Sequence, residues 1–429
     1  MSFPIESKFQ RAAVLIFSAL TAAAISIVAI PIWRADSFAG ERTESGWTRA
    51  TQIEPGYGEY WYNLAVFHRT DFEHANPALA ISELKRATAD DPRSADYWAE
   101  LGDTYEAEGD LPAARDAYQR ALENYPDSGD VHWRYGNFLL RQGQAAEAYA
   151  QLRQALVSDP KVTELAISRI WRATGDAKAL LETVLPNTDL ALQLALKFFC
   201  DATEPDAAML AWQRIVGAGR TQPLKISFPL IDLLASRGRS DDARTVWTQA
   251  LQLSGTAATS SDASLIYNGG FEEEPSNGGL DWREDTIRGC EVALDSSIFH
   301  SGRRSLRINF DGTQNLDYRG VGQRIPVKPV TRYEFSGWLK TAAISTDSGV
   351  RFAIEPDSRT MPAITLENLT GDHDWTNEHI EFTTNADTHF LILVVRRFPS
   401  RKFENEISGA AWVDDVSLVP ADAAAGSHP

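Results

Sequence analysis

The stretch of residues 95–128, ADYWAELGDTYEAEGDLPAARDAYQRALENYPDS, decides the fold of the central part of the chain. Its apolar and small residues follow the i, i+3, i+4, i+7 spacing of a helix face in two successive runs. The runs are Trp98, Leu101, Gly102 and Tyr105, and then Ala114, Tyr118 and Ala121. Gly109 and Asp110 supply a turn between them, and Pro126 ends the second helix because it has no N–H to donate. The stretch therefore predicts two helices joined by a short turn.

The same pattern recurs along the chain at a fixed interval of 34 residues, which separates Pro92 from Pro126 and Pro126 from Pro160. A period in this range indicates a helical solenoid, in which each helix pair buries its apolar face against its neighbours. Beyond Thr163 the pattern weakens, with echoes around Trp212 and Trp247. We expect three clear repeats and two or three irregular ones within residues 57–253.

The repeat unit resembles the tetratricopeptide repeat. The signature positions of that family are matched by Trp98, Leu101, Gly102, Tyr105, Ala114, Tyr118, Ala121 and Pro126. The resemblance implies an all-α scaffold whose concave groove binds a segment of a protein partner.

The segment from Ala12 to Trp33 contains no charged residue. At about 1.5 Å per residue, a helix of this length crosses a hydrocarbon core of about 30 Å. The sequence therefore predicts a transmembrane helix at residues 12–33, between a cytoplasmic tail at residues 1–11 and a juxtamembrane linker at residues 34–56.

Lys8 and Arg11 precede this segment, and by the positive-inside rule they favour a cytoplasmic N terminus. The protein would then be a single-pass membrane protein with its bulk facing the periplasm or the cell exterior. The alternative is a cleaved signal peptide, because Ser37 and Ala39 are small and spaced like a cleavage site. Both interpretations export the rest of the chain.

The formal net charge of −18 disfavours nucleic acid and anionic lipid as partners. Binding to phosphate groups is driven by basic clusters, and the sequence contains no such cluster. We therefore predict no nucleic-acid partner.

After a linker rich in Gly, Thr, Ala and Ser at residues 254–264, the hydrophobic period changes from 3.6 to 2. Leu306, Ile308 and Phe310, for example, alternate with Arg307 and Asn309. Several such segments, separated by Gly, Asp and Asn turns, predict an antiparallel two-sheet sandwich at residues 265–420, followed by a tail at residues 421–429.

Four motifs in this region carry a second resemblance. They are NGGFE at residues 268–272, HSG at residues 300–302, a long strand at residues 333–341 and WVDDVSL at residues 412–418. Together they resemble the jelly-roll carbohydrate-binding modules of the galactose-binding-like fold. The resemblance implies a module that binds glycans or derives from one that did, frequently with a structural calcium ion.

In such modules a structural calcium often ties the first strand to the last. The matching acidic residues here are Glu272, Asp414 and Asp415. Ca²⁺ takes six to eight oxygen ligands, so backbone carbonyls near Ser301 would have to complete the site. Capping of turns at the strand ends is the alternative role for these acids.

Sugar recognition needs aromatic platforms and planar polar groups on a surface that the core does not use. Strand parity and loop position select Trp338, Arg307, Asn309, Arg351, Glu355, Arg396 (or its neighbour Arg397), Tyr318, Arg319 and Trp282. The alternative is that Trp338 is covered by a loop or by the solenoid, and that the arginines only solvate the sheet.

No enzyme is predicted, because no pair of carboxylates, metal-spaced histidines, nucleophile motif or phosphate loop stands out. The sequence instead favours a membrane-anchored, non-catalytic adaptor. Its solenoid would bind a protein and its jelly roll a saccharide, in assembly or export of an envelope polysaccharide. The alternative is a purely structural assembly factor of the cell envelope that binds no sugar.

Overall fold

The computed structural model describes residues 8–71, 75–256, 264–357 and 360–421. The chain divides into two compact units, Met1–Pro186 and Asn187–Pro429. Most of the predicted linker, most of the C-terminal tail and the first seven residues of the N-terminal tail lie outside the described residues.

The first unit begins with helix α1, Lys8–Ala39, followed by α2, Glu44–Ile53. Helix α1 contains the predicted span and is long and apolar enough to cross a membrane. The end of α1 and all of α2 lie within the predicted juxtamembrane linker, residues 34–56. Ala35, Ala50 and Tyr60 pack together there, and this apolar contact favours helix over an extended linker.

Three regular helix pairs follow, and they correspond to the three clear repeats. They are α3 (Gly58–Thr70) with α4 (Pro77–Asp90), α5 (Ala95–Ala107) with α6 (Leu111–Asn124), and α7 (Gly129–Arg141) with α8 (Ala145–Ser158). The unit ends with a 3₁₀ turn (Pro160–Val162), α9 (Thr163–Thr174), α10 (Ala177–Ala179) and a π-helical turn (Leu180–Val184).

Helix starts and helix contacts explain the recurring residues of the repeat. The hydroxyls of Ser94 and Ser128 accept a backbone N–H at the starts of α5 and α7, which satisfies one of the free donors there. Gly102 lies against the ring of Tyr118, where a Cβ atom would come within 2.9 Å. Gly136 lies against Leu152 in the same way, at 2.7 Å. Both helix pairs therefore require glycine at the crossing.

The second unit begins with two more helix pairs. They are α11 (Asp189–Asp201) with α12 (Pro205–Ala218), and α13 (Phe228–Ser236) with α14 (Ser240–Ser254), with a 3₁₀ turn (Leu224–Ser227) before α13. Trp212 and Trp247 are buried in these pairs, as the weak echoes in the sequence predict.

Two five-stranded antiparallel sheets follow and form the predicted sandwich. The strands are β1 (Trp282–Glu284), β2 (Cys290–Asp295), β3 (Ser305–Asp311), β4 (Tyr318–Pro326), β5 (Arg332–Ile344), β6 (Arg351–Pro356), β7 (Ile364–Thr365), β8 (Gly371–Thr383), β9 (Phe390–Arg397) and β10 (Ser408–Pro420). Sheet A has the order β1-β4-β9-β6-β7, and sheet B has the order β2-β3-β10-β5-β8. Alternate apolar residues of both sheets form one core between them.

The helix pair α13–α14 packs directly on the sandwich. Gly278 and Gly279 receive Phe228 and Trp247, since a Cβ atom at either glycine would lie 2.1 Å or 2.5 Å from the facing ring. The ring of Trp247 also meets Tyr267 edge to face, with centroids 5.3 Å apart. These contacts join α13 and α14 to the sandwich within the second compact unit.

Candidate functional site

Two of the predicted sugar-binding residues lie in the core. The side chain of Trp282 is fully buried, packs on Phe271 with ring centroids 4.8 Å apart, and donates its indole N–H to the carbonyl of Asn268. Tyr318 is also fully buried, and burial raises the pKa of its phenol. A register shift between Tyr318 and Val321 turns both side chains inward. Neither Trp282 nor Tyr318 can meet a ligand at the surface.

Three others lie on the outer face of sheet B. Arg307 and Asn309 alternate with core residues of β3, and Trp338 does so on β5. The imidazole of His300 stacks on the indole of Trp338, with centroids 3.8 Å apart and planes 17° apart. Trp375 meets the same imidazole edge-on at 5.7 Å. One face of the Trp338 ring is therefore covered by a loop residue and is closed to a sugar.

The remaining four lie on the outer face of sheet A, on the opposite side of the sandwich. Arg319 of β4 reaches Glu355 of β6, with Nη2 to Oε2 at 2.6 Å. Arg351 and Arg396 stand directly opposite each other on β6 and β9. Arg397, the neighbour of Arg396, instead points into the sandwich and is fully buried. Strand parity therefore selected surface residues correctly here but could not assign them to a common face with Trp338.

A groove of about 240 Å³ lies on this face of sheet A. It is lined by Arg283, Asp285, Arg319, Gly322, Gln323, Arg324, Ile392 and Val394. A Cβ atom at Gly322 would lie 2.9 Å from Val394, so the missing side chain lowers the floor between the strands. The result is a floor with apolar side chains between walls that carry planar guanidinium groups.

Arg283 and Arg324 are groove residues that the sequence did not single out. Both are held by Asp232 of α13, whose Oδ1 lies 2.7 Å from Arg283 Nη2 and 2.5 Å from Arg324 Nη1. Arg324 shares its strand face with Gly322, so the period-2 pattern of β4 contained a signal for it. No pattern in the sequence indicated that Asp232 of α13 would be its partner.

The three predicted calcium ligands do come together. A Cβ atom at Gly270 would lie within 4.0 Å of Glu272, Asp414 and Asp415 alike. A β-bulge lies at the two aspartates, because the register of β10 shifts between Asp414 and Ser417 and Asp415 has φ of 45°. Asp414 is fully buried, and burial raises the pKa of its carboxyl to about 6.

The carboxylates of this cluster accept hydrogen bonds from the loop at residues 300–304. Asp414 Oδ2 accepts the backbone N–H groups of His300 and Ser301 at 2.7 and 3.2 Å. Glu272 Oε1 accepts the N–H of Arg303 at 2.7 Å, and His300 Nδ1 lies 2.6 Å from Asp415. Within the described ranges, no group of three or more His, Cys, Asp or Glu side chains is placed to hold a metal ion. Calcium binding by these carboxylates stays a prediction, and the hydrogen bonds from the loop would compete with the ion for their oxygens.

Comparison with protein families identifies both parts of the chain. The family described as tetratricopeptide repeat matches residues 69–129 and 102–163. The family described as carbohydrate binding domain matches residues 263–396. The chain thus carries tetratricopeptide repeats and a domain of the carbohydrate-binding-module kind, and both are non-catalytic kinds of domain.

Individual relatives are distant. The tRNA(Glu)-specific nuclease WapA of Bacillus subtilis subsp. natto and the tRNA nuclease WapA of Bacillus subtilis strain 168 are each 24% identical over 198 residues, which is 45% of this chain. The match spans 8% of the length of each relative.

Solved structures resemble each part separately. A family 16 carbohydrate-binding module is 19% identical, with a TM-score of 0.26, over 36% of this chain and 99% of that one. YrrB, described as a TPR protein with an unusual peptide-binding site, is 14% identical, with a TM-score of 0.28, over 50% of this chain and 94% of that one.

Proposed function

We propose that this chain, in which tetratricopeptide repeats precede a carbohydrate-binding domain, is a membrane-anchored, non-catalytic adaptor. Helix α1 anchors it, the repeats bind a protein partner, and the outer face of sheet A binds a saccharide. The bulk of the chain faces the periplasm or the cell exterior. There it serves the assembly or export of an envelope polysaccharide.

The observation that carries the saccharide assignment is the groove on sheet A. Carbohydrate sites combine an apolar floor with a few fixed planar polar groups that meet the sugar hydroxyls. Ile392 and Val394 contribute apolar side chains to the floor, and Arg319, fixed by Glu355, provides such a planar group. On the outer face of sheet B, His300 covers the central tryptophan, Trp338.

Support for a protein partner comes from the first helices of the regular repeats. The buried carboxylate of Glu100 in α5 accepts Arg69 of α3 at 2.5 Å and Arg134 of α7 at 3.0 Å. Arg134 also pairs with Asp103 at 2.9 Å. These ion pairs fix a polar row across three successive repeats. A charged segment of a partner protein suits such a row.

The saccharide role is tested with the full-length protein in detergent, on a panel of neutral and acidic oligosaccharides. Arg319→Ala should weaken binding by about tenfold or more, because it removes a charge-assisted hydrogen-bonding group. Lys340→Ala, on the opposite sheet, is the control and should bind like the wild type. If a folded protein binds no saccharide on the panel, the alternative of a purely structural envelope factor replaces this proposal.

The anchor is tested separately with a reporter fused after Pro429. We expect the reporter to be active outside the cytoplasm. Reporter activity in the cytoplasm would place the sandwich away from any envelope saccharide and would contradict the adaptor function.

A further inference from the structure

Five arginines lie on the outer face of sheet A, and they differ in whether a carboxylate pairs with them. Asp232 holds Arg283 and Arg324, Glu355 holds Arg319, and Asp317 lies 2.5 Å from Arg396 Nη1. Arg351 differs from the other four. Its Nη2 donates to the neutral amide oxygen of Asn368 at 2.6 Å, and its Nε is shielded from water with no hydrogen-bond partner. Within the described ranges, Arg351 pairs with no carboxylate.

At the position of Arg351, the lack of a carboxylate partner has a high cost in free energy. It stands directly opposite Arg396 in the β6–β9 register, and like charges in opposing positions of a sheet repel. Both guanidinium groups lie over the ring of Phe398, at 5.3 and 4.6 Å from its centroid. The ring offsets part of the repulsion by cation–π attraction. Two cations are thus held side by side, and of the two only Arg396 contacts a carboxylate, that of Asp317, within the described ranges.

Burial further disfavours the charged form of Arg351. Arg351 is half-buried, and desolvation lowers the pKa of its guanidinium, with no acidic neighbour acting against that shift. A ligand group that restored the charge balance here would have to be an anion. Guanidinium groups bind carboxylates in a planar, frequently bidentate geometry, which favours a carboxylate for this position.

We infer that Arg351 and Arg396, beside Phe398, form a subsite for the carboxylate of an acidic sugar residue, so that the ligand of this face is a polyuronate-type saccharide. The inference rests on the proposed function, because it names the substrate class of the same face. The subsite lies at the end of β6 and β9 next to the Arg319–Glu355 pair, so one oligosaccharide can reach both.

The test compares oligogalacturonate with a neutral galacto-oligosaccharide of equal length, both on the full-length protein in detergent. We expect the acidic ligand to bind at least about tenfold more tightly at low salt, since a hydrogen-bonded ion pair contributes that much or more. The advantage should shrink as salt rises, because the subsite is partly exposed and its charges are screened.

Arg351→Gln should abolish the preference for the acidic ligand, so that the acidic and the neutral ligand bind the variant with equal affinity. The matched control is Arg332→Gln, which removes the same charge from an exposed position on sheet B, where Arg332 pairs with Glu381. That control should keep the preference.

The outcomes separate this inference from the proposed function. Equal or tighter binding of the neutral ligand overturns the acidic subsite and leaves saccharide binding in place. A preference that survives Arg351→Gln also overturns the subsite. Failure of both ligands and of the wider panel to bind a folded protein overturns the proposed function itself.

Discussion

The carboxylate of Asp232 in helix α13 lies 2.5 Å from the guanidinium of Arg324 in strand β4. The same oxygen is 2.7 Å from Arg283, so one side chain of the last repeat fixes two walls of the groove on sheet A. A repeat helix thereby becomes part of the candidate saccharide site.

Asp232→Asn should weaken saccharide binding, because the two arginines lose the charge that orients them. We expect affinity to fall by about threefold to tenfold. The free energy of unfolding should fall by less than about 1 kcal/mol, since these ion pairs are partly exposed to solvent. Affinity and the melting temperature are measured on the same samples. Asp241→Asn, an exposed position on α14, is the control, and unchanged affinity in Asp232→Asn would show that the groove does not need the helix.

Trp338→Ala should leave saccharide affinity unchanged, because its ring lies on the opposite sheet under His300. It should lower the free energy of unfolding by about 1 to 3 kcal/mol, since a half-buried aromatic contact is lost. Calorimetry and the binding assay together check this. Loss of binding in a folded variant would instead move the site to sheet B.

Gly136→Ala should destabilise the repeats. The added methyl group would lie 2.7 Å from Leu152 between α7 and α8, and overpacking of this kind costs about 1 to 3 kcal/mol. Gly217→Ala in α12 is the matched substitution, since no atom lies within 4 Å of its added methyl group. It should stabilise its unit by up to about 1 kcal/mol through helix propensity. Thermal unfolding of both variants decides whether the glycine is needed for close approach.

His68 should make the stability of the first unit pH-dependent. Its side chain is buried, which disfavours the imidazolium, but hydrogen bonds to Glu83 at 2.8 Å and Glu44 at 3.3 Å outweigh burial and raise the pKa of His68 above 6.5. A raised folded-state pKa adds stability below the unfolded value of 6.5, and this stability is lost as the pH rises through the folded pKa.

The check is to melt the protein at several pH values from about 6 to about 8.5, where a neutral His68 replaces the charged one. The wild type should lose stability across this range, and His68→Gln should lose less. Parallel curves for the two proteins would show that His68 does not titrate in this window.

Calcium should leave the sandwich unaffected if the N–H groups around Glu272, Asp414 and Asp415 remain in place. We expect the melting temperature in millimolar Ca²⁺ to match that in chelator within about 1 °C, because a ligand that does not bind the native state cannot stabilise it. A calcium-dependent rise of several degrees would mean that the loop from His300 to Arg304 rearranges to expose the three carboxylates.

The repeat architecture could be predicted in detail because its determinants are local. Gly102, Tyr118 and their counterparts recur at a fixed spacing, and each contact they make joins neighbouring helices. Period-2 alternation likewise predicted which residues of β3, β5 and β6 face outward.

The candidate sites were less predictable than the repeat architecture, because they depend on which strands pair. Trp338 and Arg351 share a solvent-facing parity, but β5 belongs to sheet B and β6 to sheet A. Tyr318 turns inward at a register shift that no local sequence pattern predicts. The partner of Arg324 comes from a helix 92 residues earlier in the chain.

The seating of Phe228 and Trp247 on Gly278 and Gly279 also bears on how such a protein can be built by recombination. If the sandwich were cut from the helices at the linker, two aromatic rings would be exposed on the helices, and the hollow at Gly278 and Gly279 would be exposed on the sandwich. Exposed apolar surfaces of this kind promote aggregation. The piece of this chain that can be inherited or grafted as a working module is therefore residues 187–421, two repeats and the sandwich together.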